Sequence, residues 1–96
     1  MFHTTESLAA QGYSRIVSIP EECENISIVV SVSGCQAKVQ VCNESEIDIL
    51  EEDDLKWIDW DAGLVSVTTS DVLYPVNALR LYQSGAGSSK MTVSVR

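Results

Sequence analysis

Ile26-Ser-Ile-Val-Val-Ser-Val-Ser33 decides the fold. Ile26, Ile28, Val30 and Val32 fall on one side of an extended chain, and Ser27, Val29, Ser31 and Ser33 on the other. The stretch is rich in β-branched residues, which suit a pleated, half-buried surface better than a helix. Ser33-Gly34 reads as a turn, after which Ala37, Val39 and Val41 alternate with Lys38, Gln40 and Cys42. The pattern predicts two strands joined as an antiparallel hairpin.

The far end of the chain repeats the plan. Ala78-Leu-Arg-Leu-Tyr-Gln83 sets Leu79 and Leu81 inward, with Arg80 and Tyr82 outward. Ser84-Gly-Ala-Gly-Ser-Ser89 is loop chemistry, and Met91, Val93 and Val95 then alternate with polar residues, predicting a second hairpin. A single core holding Ile28, Val30, Leu79, Leu81 and Val93 follows. Between and before these pairs the signals are shorter. Val17 and Ile19 alternate with Ser18 until Pro20 ends the segment, because proline cannot donate to a ladder. Glu21, Glu22, Glu24 and Asn25 form a polar connection. Ile47-Asp48-Ile49, Leu55–Trp60 and Leu64–Thr69 read as short strands, and 71–75 as an irregular connection.

About seven or eight short strands without a helix predict an all-β, antiparallel β-sandwich or a jelly-roll-like small barrel. Residues 13–96 make one such domain. Residues 1–12 show no period and carry isolated Phe2 and Leu8 among polar residues. They read as an extended N-terminal arm, either frayed or ordered on a neighbouring subunit.

Length and charge narrow the function. Ninety-six residues suffice for one modest core. With 45% hydrophobic residues the chain is no disordered polymer. Fourteen acidic against six basic side chains give a net charge of −8, which argues against nucleic acid as partner, since phosphate binding needs clustered Lys and Arg. No apolar run reaches the ~20 residues of a membrane span. MFHTTESLAAQG offers neither a basic nor an apolar segment of a signal peptide, so the expectation is a protein made in cytoplasm. The odd set Cys23, Cys35 and Cys42 fits buried reduced thiols in that compartment better than a disulfide framework.

Catalytic patterns are scarce. Nine of the fourteen acids lie between Glu44 and Asp61. Asp59-x-Asp61-x-Gly63 touches on a calcium loop, but its glycine is early and no bidentate Glu follows at the twelfth position, so a solvated acidic loop is the simpler reading. A glycosidase carboxylate pair would lack a deep cleft in so small a sandwich. A Cys₃His zinc site would need His3, with no C-x₂-C knuckle. A Ser or Cys nucleophile would have only His3, in the arm, as its base. The chain reads as no enzyme, with neither metal nor cofactor. Trp57 and Trp60 fall on opposite sides of a strand, so one packs in the core and the other faces solvent, free to stack on a sugar or anchor an interface.

Pro75 to Arg96, with its Ala-Leu-Arg-Leu strand, Ser/Gly turn and final β-branched strand, resembles the ending of small tailed-phage virion proteins. Trp60-Asp-Ala-Gly-Leu-Val-Ser-Val-Thr is similar to the strand before that ending, so the likeness spans roughly residues 57–96. It implies a capsid cement, or decoration, protein. Such a protein binds the major capsid protein on the virion surface, assembles as a homo-oligomer (commonly a trimer), and is made in the host cytoplasm. Phe2, Leu8, Trp60 and Tyr82 are the expected partner-binding residues. The alternative is a carbohydrate- or receptor-binding module of a phage tail or fibre.

Overall fold

The computed structural model describes residues 2–20, 24–43 and 57–95, and the structural statements below concern these. Among them are nine strands: β1 (Phe2–Leu8), β2 (Gly12–Tyr13), β3 (Val17–Ser18), β4 (Ile26–Ser33), β5 (Gln36–Cys42), β6 (Ile58–Asp59), β7 (Thr69–Leu73), β8 (Ala78–Ser84) and β9 (Ser88–Val95). They build two antiparallel sheets packed together, as the alternation requires. Sheet A has the order β1-β9-β4-β7, and sheet B the order β2-β8-β5-β6, with β3 also on β8.

The apolar faces close on one another. Ile26, Ile28 and Val30 of β4 and Met91, Val93 and Val95 of β9 meet Val39, Leu79 and Leu81 of sheet B. All five residues expected in the core are fully buried there.

Neither expected hairpin forms. β4 lies in sheet A and β5 in sheet B, and β8 and β9 are divided in the same way. β4 pairs instead with β9, from Ile26↔Val95 to Ser33↔Ser88, and β5 with β8, from Gln36↔Ser84 to Cys42↔Ala78. The chain therefore passes through two stacked arches, each carrying it from one sheet to the other. An arch satisfies the alternation as well as a hairpin does, because both put the apolar sides inward. Turn chemistry and one buried amide favour the arch. Gly34 and Gly87 take φ of +74° and +134°, and a Cβ on Gly87 would stand 2.5 Å from the carbonyl oxygen of Ser33. Gln83, fully buried at the foot of the second arch, donates from Nε2 to the carbonyls of Gly85 (2.9 Å) and Gly87 (3.0 Å). Its Oε1 accepts from Ser89 Oγ at 2.7 Å, so the amide has partners at both ends.

Two other segments differ from expectation. Leu64–Thr69 contributes only a bridge between Val65 and Ala37 and the first residue of β7, which runs on into the stretch expected to be irregular. Asp71 sits within β7 at a core-side position, opposite Ile28. There it accepts a 2.7 Å hydrogen bond from Trp60 Nε1. A buried indole N–H needs such an acceptor. Asp71→Ala is expected to lower unfolding free energy by ~1–3 kcal/mol, measurable by urea denaturation, whereas Asp71→Asn keeps an acceptor and should cost less.

Residues 2–8, expected as part of an arm, lie as β1 along seven of the eight residues of β9, from Phe2↔Val95 to Leu8↔Ser89. Thr4, Glu6 and Leu8 occupy core-side positions there, yet only Leu8 packs against the core as an apolar side chain. From His3 to Leu8 the strand is thus held chiefly by its backbone ladder, which leaves no mark on hydrophobic periodicity. Ile47–Ile49, the acidic run 51–54 and Cys23 lie outside the described residues.

Candidate functional site

The pairing of β4 with β9 brings together side chains that seemed to belong to separate hairpins. On the outer face of sheet A the register aligns His3, Ser94, Ser27 and Val72 in one row, and Thr5, Thr92, Val29 and Ser70 in the next. Ser7, Lys90 and Ser31 follow, then Ser88 and Ser33. Nine of these thirteen side chains are Ser or Thr, so the face is low, flat and able both to donate and to accept hydrogen bonds. None of the rows holds a carboxylate, although the chain carries fourteen. Lys90 is the one Lys or Arg among them. All the side chains are exposed or half-buried, and Val29 and Val72 add exposed apolar area.

His3 Nδ1 lies 3.0 Å from Ser94 Oγ. Histidine beside serine is the pairing of nucleophilic catalysis, but that chemistry also needs a group to orient the ring and a hole for the oxyanion. Here the pair stands exposed on a flat face, and its row offers no carboxylate.

The outer face of sheet B is built differently. Arg80 is largely buried although it points away from the core. Its guanidinium lies 4.0 Å from the ring centre of Tyr13 and 4.2 Å from that of Trp57, so the two aromatic rings flank it. Arg80 Nε donates to Gln40 Oε1 (2.8 Å), and Gln40 Nε2 donates to Asp59 Oδ1 (2.9 Å). Lys38 Nζ completes the chain at 3.0 Å from Asp59 Oδ2 and stands over the Tyr82 ring. Hydrogen bonds from Gln40 and then Lys38 hold the Asp59 carboxyl below its ordinary pKa. Tyr13 packs on Tyr82, with ring centres 4.9 Å apart, and remains 50% exposed. The Trp57 indole N–H is buried and finds no acceptor among the described residues.

The expected partner-binding residues are not gathered in one place. Trp60 is 4% exposed and committed to the core and to Asp71, so it is no surface anchor. The expectation of one core and one outer tryptophan holds with Trp57 outside, half-buried against Cys42 and Ala78. Leu8 is half-buried at the core margin. Tyr82 points outward, as expected, but on sheet B and under Lys38. Phe2 is placed by its backbone alone, opposite Val95. Asp59, read as a possible calcium ligand, is engaged by Gln40 and Lys38. Cys35 and Cys42 stand at opposite ends of the extended run formed by β5.

The hydroxyl face escaped sequence reasoning although its two central strands, β4 and β9, were legible. Ser27, Ser31 and Ser33 alternate visibly in β4, as do Thr92 and Ser94 in β9; only the pairing makes them neighbours. Comparison with family models, curated proteins and solved structures finds no match for this chain.

Proposed function

We propose that this chain is an accessory protein of a tailed-phage virion, a non-catalytic cement or decoration protein that binds the major capsid protein and stabilises the shell. The observation that carries the reading is the flat, carboxylate-free outer face of sheet A on a chain of net charge −8. Charged residues are depleted at the cores of protein interfaces, and so is serine, so the apolar anchors of this face are the exposed Val29 and Val72. The likeness of residues 57–96 to small virion proteins supplies the partner class. The mechanism is repeated contact: many copies on a closed shell act together, so a modest individual interface suffices.

The experiment places a carboxylate in the middle of the face. Val29 lies between Thr92 and Ser70 and points to solvent, so Val29→Glu should leave the melting temperature nearly unchanged. In co-sedimentation with shells lacking this protein, the variant should need at least ~10-fold more protein to reach half-saturation, equivalent to ~1.4 kcal/mol per site. Saturation at the wild-type concentration would overturn the reading.

A carbohydrate-binding module of a tail or fibre remains the second reading, favoured by half-exposed Tyr13 beside Tyr82, Lys38 and Asp59 on sheet B. Trp57 shares Arg80 with Tyr13, so a sugar stacked there would alter tryptophan fluorescence. Titration with host-surface oligosaccharides separates the two readings.

A further inference from the structure

Among the described residues β1 is the terminal strand of sheet A, with β9 on one side and no strand on the other. A free edge of this kind is a template for another strand, and proteins usually blunt it with lysine, proline, a bulge or an inward-pointing charge; the one such charge on β1 is Glu6, which the pairing below sets against a threonine. β1 carries neither lysine nor proline, and it runs in unbroken register with β9 over all seven residues. From the order of residues along that edge we propose that β1 pairs antiparallel with β1 of a second copy, about a two-fold axis through Thr5.

The sequence Phe2-His-Thr-Thr-Glu-Ser-Leu8 is close to self-complementary in this register. Phe2 falls opposite Leu8 of the second copy, twice, joining two apolar positions. Thr4 falls opposite Glu6, a hydroxyl donor facing a carboxylate acceptor. His3 meets Ser7, and Thr5 meets Thr5. Sliding the pairing by two positions one way opposes Glu6 to Glu6, a like-charge contact. Sliding it the other way sets Phe2 against Glu6. Only the Thr5-centred register uses the whole strand without a mismatched pair. Each Glu6 faces a threonine, so the pairing puts no two carboxylates opposite one another although both chains carry a net charge of −8.

The axis stands normal to the sheet, so both outer faces stay on the same side. Two four-stranded sheets become one of eight strands, and the hydroxyl face doubles in width. The pairing does not depend on what that face binds, and it is tested on the isolated protein. An edge contact alone buries less than the ~1,200 Å² of a standard interface, so the dimer should be weak and concentration-dependent.

Thr5 is exposed, so Thr5→Lys should leave the fold intact while opposing two ammonium groups across the axis. In sedimentation equilibrium over a concentration series, the wild type should approach twice the chain mass and Thr5→Lys should remain at one, with unchanged circular dichroism. A second variant, Thr5→Cys, should give a covalent two-chain species on mild oxidation, absent from oxidised wild type and from Ser70→Cys on the opposite edge of the sheet. A wild type that stays monomeric across the series overturns the proposal. So does a limiting mass of three chains, a Thr5→Lys variant that dimerises like the wild type, or cross-linking of Thr5→Cys no greater than that of Ser70→Cys.

Discussion

Gly87→Ala is expected to destabilise the domain by ~3–5 kcal/mol, at the upper end for a single substitution. The new methyl carbon would lie 2.5 Å from the carbonyl oxygen of Ser33 and 2.9 Å from the carbonyl carbon and oxygen of Gly34. All three atoms are backbone, so no side chain can swing aside. The φ of +134° adds conformational strain for any residue with a Cβ. Relief would require the two arches to part, which would pull Gly87 away from the Gln83 amide and leave that buried group with an unmet donor. The measurement is thermal unfolding by circular dichroism, with Gly85→Ala as comparison. Gly85 also has positive φ, but its Cβ would meet nothing within 4 Å, so it carries strain without collision. Gly87→Ala should melt well below Gly85→Ala. Equal melting temperatures would mean the arches do not touch as described.

Leu81→Ala is expected to cost ~2–5 kcal/mol, from lost burial and from the cavity left behind. Leu81 is fully buried, sits opposite Val39, and belongs to the cluster that joins both sheets. At ~4–8 °C per kcal/mol for a domain of this size, the melting temperature should fall by at least ~8 °C. The backbone at this position has no slack to absorb the change. Leu81 N donates to Ser14 Oγ (2.9 Å), and its carbonyl accepts from Ser14 N (2.8 Å). Tyr82→Ala, one position along and on the outer face, should cost less, and the contrast checks which side of β8 faces the core. A near-neutral Leu81→Ala would mean the register is displaced by one residue.

Alternation identified β4, β5, β8 and β9 nearly to their ends because a strand with one buried side announces that side at every second residue. It could not name their partners. A strand's periodicity records what lies above and below it, whereas pairing is made by backbone groups that every residue carries. Hairpin and arch therefore looked alike at Ser33-Gly34. Gln83 and Gly87 held the available hint, since a polar residue on an apolar side and a second glycine make little sense in a plain hairpin turn. β7 was hidden for a related reason. Asp71 interrupts the apolar pattern because Trp60 needs an acceptor there, and a polar residue placed to serve a buried partner looks like a loop residue. The outer face of sheet A suffered most. The alternation of β4 and β9 was visible, but a surface is a property of neighbours, and the neighbours come from opposite ends of the sequence.

The arches also dictate the order in which the chain can fold. β4 and β9 are joined across 55 to 69 residues, and β5 and β8 across 36 to 48. With no tight hairpin among the described strands to close first, the long loops must be closed before most of the ladder forms, which puts the protein among slow, high-contact-order folders. During synthesis, Ile26–Val32 emerges long before β9 exists to cover it. That apolar, strand-forming run is then open to other chains, so yield in the cell should depend on how quickly the last strand arrives.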